Sequence, residues 1–99
     1  MLDVLILFPE LAAPADVDAF VDRFVPDIQG TKGLRSIRVS TGDLMSQGAK
    51  PPYSRAIELS FESLPDWMAW VMTPEREGRL AEFTTTKPLI LFFEAVERL

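Results

Sequence analysis

Apolar residues recur at every second position in four stretches of this chain, and at helical spacing in two others. "LDVLILF", Leu2 to Phe8, puts Leu2, Val4, Ile6 and Phe8 on one side of a strand and Asp3, Leu5 and Leu7 on the other. "LRSIRVS", Leu34 to Ser40, predicts a second strand with Ile37 and Val39 on its greasier side. "SRAIELSFES", Ser54 to Ser63, sets Arg55, Ile57, Leu59 and Phe61 against Ser54, Ala56, Glu58 and Ser60. "PLILFFEAV", Pro88 to Val96, sets Leu89, Leu91, Phe93 and Ala95 against Ile90, Phe92, Glu94 and Val96.

Helical spacing shows in "DVDAFVDRF", where Val17, Phe20, Val21 and Phe24 share a face and Asp18 and Asp22 lie opposite. Asp16 is the expected N-cap, and Pro26 is expected to kink or end this helix before the turn at Gly30 and Gly33. A second helix follows in "SLPDWMAWV", capped by Ser63, with Pro65 in its first turn and Asp66 completing a short capping box. It restarts after Thr73 in "PEREGRLAEF", with Leu80 and Phe83 facing inward. Thr41 to Tyr53 is a long polar loop between the second and third strands.

The order is β-α-β-β-α-β over a single domain, 1–99. It predicts an α+β fold of the ferredoxin-like type: an antiparallel sheet in the order 4-1-3-2, with both helices on one face. Two helices cover one face of a sheet, yet strands one and four are apolar on both. An antiparallel sheet with a wet face alternates cleanly with polar residues. Leaving Leu5, Leu7, Ile90 and Phe92 in water forgoes about 1.5–3 kcal/mol each. A second copy of the chain, packed sheet against sheet about a two-fold axis, is the expected cover.

Composition narrows the chemistry. The net charge of −5 argues against nucleic acid and anionic membrane surfaces, which call for a basic footprint. No apolar run reaches the length of a membrane span, and the short run at the start is broken by Asp3 and lacks a basic flank, so a cytoplasmic protein is expected. Without cysteine there is no disulfide framework or thiolate metal site. Without histidine, imidazole-based triads and His-ligated zinc or haem are impossible within the chain, and no metal or cofactor is expected.

The carboxylate of Glu58 sits in the polar register of its strand. The apolar positions 37, 39, 57, 59 and 61 pair best with Val39 opposite Ile57 and Ile37 opposite Leu59, which puts Arg38 opposite Glu58. That pair falls on the uncovered side with Asp3, Ser36, Ser40 and Ser60. It is either a polar tie that fixes register or the dimer, or a chemical pair: Arg38 holding an anionic or enolate oxygen, with Glu58 or Asp3 as base. Trp67 and Trp70, three apart, serve either the core or a wall that stacks a planar ligand. Tyr53 is a pocket-mouth residue or a loop anchor; Phe92 is a candidate ligand contact on the inner face of strand four, and Glu94 there faces either a ligand or the dimer rim. "GTKG", Gly30 to Gly33, is too short for a phosphate loop, and the acids Asp16, Asp18 and Asp22 form a solvated helix face rather than a calcium loop.

Three stretches carry a resemblance: "KGLRSIRVS" at Lys32 to Ser40, "FESLPDWMAWVMTPEREGRLAEF" at Phe61 to Phe83, and "KPLILFFEAVE" at Lys87 to Glu97. With them the chain resembles the EthD-like proteins of the dimeric α/β-barrel superfamily. Many of those carry His-x-Pro near the end of helix one, where this chain has Phe24-Val25-Pro26. The resemblance implies a homodimer enclosing a cavity and no particular reaction. The function expected is that of a cofactor-free enzyme or accessory protein acting on a small apolar, aromatic or polyketide-like compound. The alternative is a non-catalytic module that binds or senses such a ligand.

Overall fold

The computed structural model describes residues 1–73 and 87–98. Its elements are β1 (Leu2–Pro9), α1 (Pro14–Ile28), β2 (Leu34–Val39), β3 (Tyr53–Phe61), α2 (Leu64–Val71) and β4 (Leu89–Glu94). The strands form one antiparallel sheet in the order β2-β3-β1-β4, which is the expected 4-1-3-2 order read from the other edge. Leu80 and Phe83, expected in a continued second helix, lie outside the described residues.

The core forms where the covered face of the sheet meets the helices. Leu2, Val4, Ile6 and Phe8 of β1 and Ile57, Leu59 and Phe61 of β3 are buried against Val17, Phe20, Phe24 and Ile28 of α1 and Trp67 and Trp70 of α2. A run of rings binds the layers together. Phe8 meets Phe20 edge-on at 5.7 Å, Phe20 stacks on Phe24 at 5.3 Å, and Phe24 meets Trp70 edge-on at 5.8 Å. Trp70 stacks on Trp67 at 5.4 Å, and Trp67 reaches Phe61 at 5.6 Å. Aromatic pairs in such geometry add about 0.5–1.5 kcal/mol beyond the area they bury.

Two expectations about α1 are corrected. Asp16 is not its cap: Ala13 occupies that position, Pro14 opens the helix, and Asp16 lies within the first turn. Proline suits the first helical position because its fixed φ is already helical and its missing N–H costs nothing there. Pro26 does not end the helix, which runs on to Ile28. Pro26 is exposed while Ile28 is fully buried, so packing of the last turn outweighs one lost backbone bond. In α2, Ser63 caps as expected, accepting from the Asp66 backbone N–H at 3.3 Å. The Asp66 carboxylate in turn accepts from the Ser63 hydroxyl at 3.0 Å.

Gly33 joins α1 and β2 at a place where a side chain has no room. Its φ is +82°, and a Cβ there would lie 2.3 Å from Asp66 Oδ2. Its carbonyl accepts from the Glu62 N–H at 2.8 Å, which holds the turn against the start of α2. Gly30 has a φ of +83° but open space around it. Gly33→Ala is therefore expected to cost about 2–3 kcal/mol in urea unfolding: about 1–2 for the left-handed backbone, plus about 1 for the disturbed cap. Gly30→Ala bears only the backbone part. Equal losses for the two variants would refute this account of the Gly33–Asp66 contact.

Candidate functional site

The face of the sheet away from the helices is built in three cross-strand rows. In the middle row Arg38, Glu58, Leu5 and Leu91 lie opposite one another in turn. On one side of it run Ser36, Ser60, Asp3 and Phe93. On the other, Ser40 is bonded to Ala56, which faces Leu7 and then Leu89. The open face is therefore divided: β2 and β3 supply polar and small groups, and the β4 side supplies apolar ones.

The polar half is internally bonded. Arg38 and Glu58 form an ion pair, with Nε 2.9 Å from Oε1, across the register that the apolar positions predict. The arginine side chain is 77% exposed and the glutamate 31%. Ser60 Oγ donates to Asp3 Oδ1 at 2.8 Å. The face thus brings Arg38, Glu58 and Asp3 together, with Ser60 as a partner for Asp3 that the sequence placed on this side without assigning it a role. The apolar half consists of Leu5, Leu7, Leu89, Leu91 and Phe93, all half-buried or exposed.

Strand four is turned over relative to expectation. Phe92 lies opposite Val4, Ile90 opposite Ile6, and Glu94 opposite Leu2, so all three are on the helix side. Ile90 packs on the core, and the Phe92 ring lies 6.4 Å from Trp67. Phe92 and Glu94 are therefore not on the inner face proposed for a ligand. Directly opposed residues of antiparallel strands share a face, so the register with β1 decides the matter where alternation cannot. Trp67 and Trp70 are buried in the core on the same side. Trp70 also borders a recess of about 410 Å³ with Thr31, Lys32, Asp66 and Ala69. Tyr53 is half-buried at the start of β3, beside a bulge where it faces Pro9.

One ionic cluster escaped the sequence reading. Arg55 extends toward the helix side with only 14% of its side chain exposed, Nε lying 3.6 Å from Asp18 Oδ1 of α1. Its Nη1 donates to Asp43 in the loop of residues 40–52. A second recess, of about 140 Å³, lies beside it, between α1 and the β2 edge. The signal was present: a charged residue in the apolar register of a strand needs partners, since a buried charge without them is very costly. Arg38 and Glu58 border neither recess. Among the described residues no group of three or more Asp, Glu, His or Cys is placed to hold a metal ion, and no helix is long and apolar enough to cross a membrane.

No family model and no curated protein matches the chain. Solved structures match it along almost its whole length. An EthD-like protein from Ralstonia eutropha is 22% identical with a TM-score of 0.72, covering 98% of this chain and 94% of that one. The cofactor-independent oxygenase SnoaB from Streptomyces nogalater is 11% identical with a TM-score of 0.75, covering 99% and 95%. A dimeric ferredoxin-like protein from Thermobifida fusca is 13% identical with a TM-score of 0.73, covering 95% and 90%. The resemblance to EthD-like proteins carried by the three sequence stretches thus has a counterpart in three dimensions. At these identities the likeness is one of fold, and the fold of this chain is the ferredoxin-like α+β sheet that all three share.

Proposed function

We propose that the open face is the inner wall of a homodimer, sheet against sheet, and that the space enclosed takes a small apolar compound of aromatic or polyketide-like character. The division of that face carries the reading. An apolar half is what a second copy and a ligand body require, and a bonded polar half is what orients a ligand's oxygen. Within it Arg38 polarises a carbonyl, and Asp3 or Glu58 accepts a proton from the adjacent carbon, so that charge developing on the oxygen meets the guanidinium. This is acid–base chemistry that needs no resident cofactor. The dimeric Thermobifida protein and the cofactor-independent oxygenase, which share the fold, support the reading.

A non-catalytic binding module is the second reading, favoured by one feature: both carboxylates already have partners, Glu58 in Arg38 and Asp3 in Ser60. Native mass spectrometry of the purified protein separates the two. The expected result is a dimer retaining an organic compound that wild type converts, in heavy water, to a heavier form by exchanging the hydrogen beside its carbonyl for deuterium. Loss of a positioned general base typically slows turnover about 10²–10⁴-fold. Asp3→Asn or Glu58→Gln is therefore expected to slow conversion by that order while the dimer persists. A retained compound whose mass never changes favours the binding module, and a dimer that retains nothing refutes the cavity.

A further inference from the structure

Glu58 does more on this face than anchor a register. Resting on the reading that the open face takes a small molecule, we propose that Glu58 sets the charge selectivity of the site. By neutralising Arg38 it makes the site a receptor for an uncharged oxygen acceptor, such as a ketone carbonyl, on an apolar body, and turns carboxylates away.

The inference starts from the guanidinium. Arginine carries five N–H donors in a rigid fork. Its charge is matched by Glu58, whose Oε1 lies 2.9 Å from Arg38 Nε in an ion pair. Among the described residues no other side chain on this face accepts from Arg38, and the side chain is 77% exposed. The Nη donors therefore remain free to meet a ligand oxygen. The charge balance then decides which oxygen. Among the described residues at the paired positions of the face, Arg38 is the one cation, set against the carboxylates of Glu58 and Asp3, while Arg35 at the β2 bulge is already matched by Glu62.

A ligand carboxylate that reached the Nη atoms would enter a site whose positive charge is already matched, with a second acid two residues along β1 from Leu5. Once a second copy covers the face, water no longer screens that repulsion, and a desolvated anion is costly without a cation of its own. A carbonyl accepts the same hydrogen bonds without either penalty. It also leaves the guanidinium able to respond if charge develops later, which is where binding energy accelerates a reaction.

Geometry sets the size. Leu5 lies directly opposite Glu58, and Leu91 opposite Leu5. A ligand with its oxygen over the Arg38–Glu58 pair and its body over Leu5 and Leu91 crosses two strand spacings, about 10 Å. A two-ring aromatic ketone fills that span, with Phe93 in the adjoining row beside its far end.

Methyl 2-naphthyl ketone and 2-naphthoate test the proposal, because they have nearly the same shape and differ by a charge. Amide shifts on ¹⁵N-labelled full-length protein locate and rank their binding. Wild type is expected to take the ketone at least about tenfold more tightly than the carboxylate, a margin of about 1.4 kcal/mol. Glu58→Gln is expected to raise naphthoate affinity by about tenfold while changing ketone affinity little, and Arg38→Gln to weaken both. Sedimentation and the amide spectrum confirm that each variant is folded. Equal binding of the two probes by wild type, or an unchanged preference in Glu58→Gln, overturns the charge selection while leaving the cavity standing. Shifts confined to the helix side, or none with either probe, overturn the cavity reading and this proposal with it.

Discussion

Phe93→Arg is expected to run as a monomer, or to precipitate, where the wild type sediments as a dimer. The residue stands 50% exposed on the open face, in the same row as Asp3 and next to Leu91 in the apolar half. Burying a phenylalanine ring contributes about 1.5–3 kcal/mol, and placing an unpaired guanidinium in the same position adds a desolvation cost of several more. Two-fold symmetry applies both losses twice in every dimer. The control is its neighbour. Phe92→Arg introduces the same charge one residue away, but Phe92 faces the helices and lies near Trp67. That variant is expected to lose folding stability while the folded fraction still associates. A monomeric wild type at micromolar concentration, or a Phe92→Arg variant that dissociates while Phe93→Arg does not, would refute a dimer built on this face.

The contrast between these two phenylalanines also marks how far the sequence could be read. The pairing of β2 with β3 was legible because the apolar residues at 37, 39, 57, 59 and 61 share a side, and one register buries them all. Arg38 and Glu58 follow from it without further information. Strand four offered no such asymmetry. Leu89, Leu91 and Phe93 are as apolar as Ile90 and Phe92, so alternation defined two faces without saying which one meets the helices. Only its register against β1 settles that, with Val4 opposite Phe92 and Ile6 opposite Ile90. Among the described residues apolar surface does lie open away from the helices, but on β4 it is Leu89, Leu91 and Phe93 that supply it, not Ile90 and Phe92.

Elsewhere the limits were local competition and distance along the chain. Asp16 is a good capping residue, but Pro14 opens the helix earlier, and the cap falls on Ala13, which makes no side-chain bond there. Pro26 is a strong helix breaker by its chemistry, yet it faces solvent two residues before a buried isoleucine. Arg55 draws its partners from positions 18 and 43, on two different elements, and no spacing rule links them. Such contacts become visible only once the fold has brought the elements together.

Phe24→Ala is expected to be a severely damaging truncation of the core. The ring is almost fully buried, stacked on Phe20 at 5.3 Å and edge-on to Trp70 at 5.8 Å, so it joins α1 to α2 above the sheet. Removing a buried phenylalanine costs about 3–5 kcal/mol, from lost transfer energy and the cavity left behind. Domains of this size have a total stability of about 5–15 kcal/mol. One truncation therefore removes a large share of it and lowers the melting temperature by well over 10 °C, at about 4–8 °C per kcal/mol. The site lies on the opposite side of the sheet, so at a temperature where the variant is still folded, its dimer and its response to the naphthyl ketone are expected to match wild type. A loss below about 1.5 kcal/mol would mean that neighbouring rings collapse into the gap, and that the aromatic run is less tightly packed than its centroid distances imply. A full loss of stability with the open face unchanged would show that the two faces do separate work: the rings on the helix side hold the fold, and the divided face opposite adds little to it.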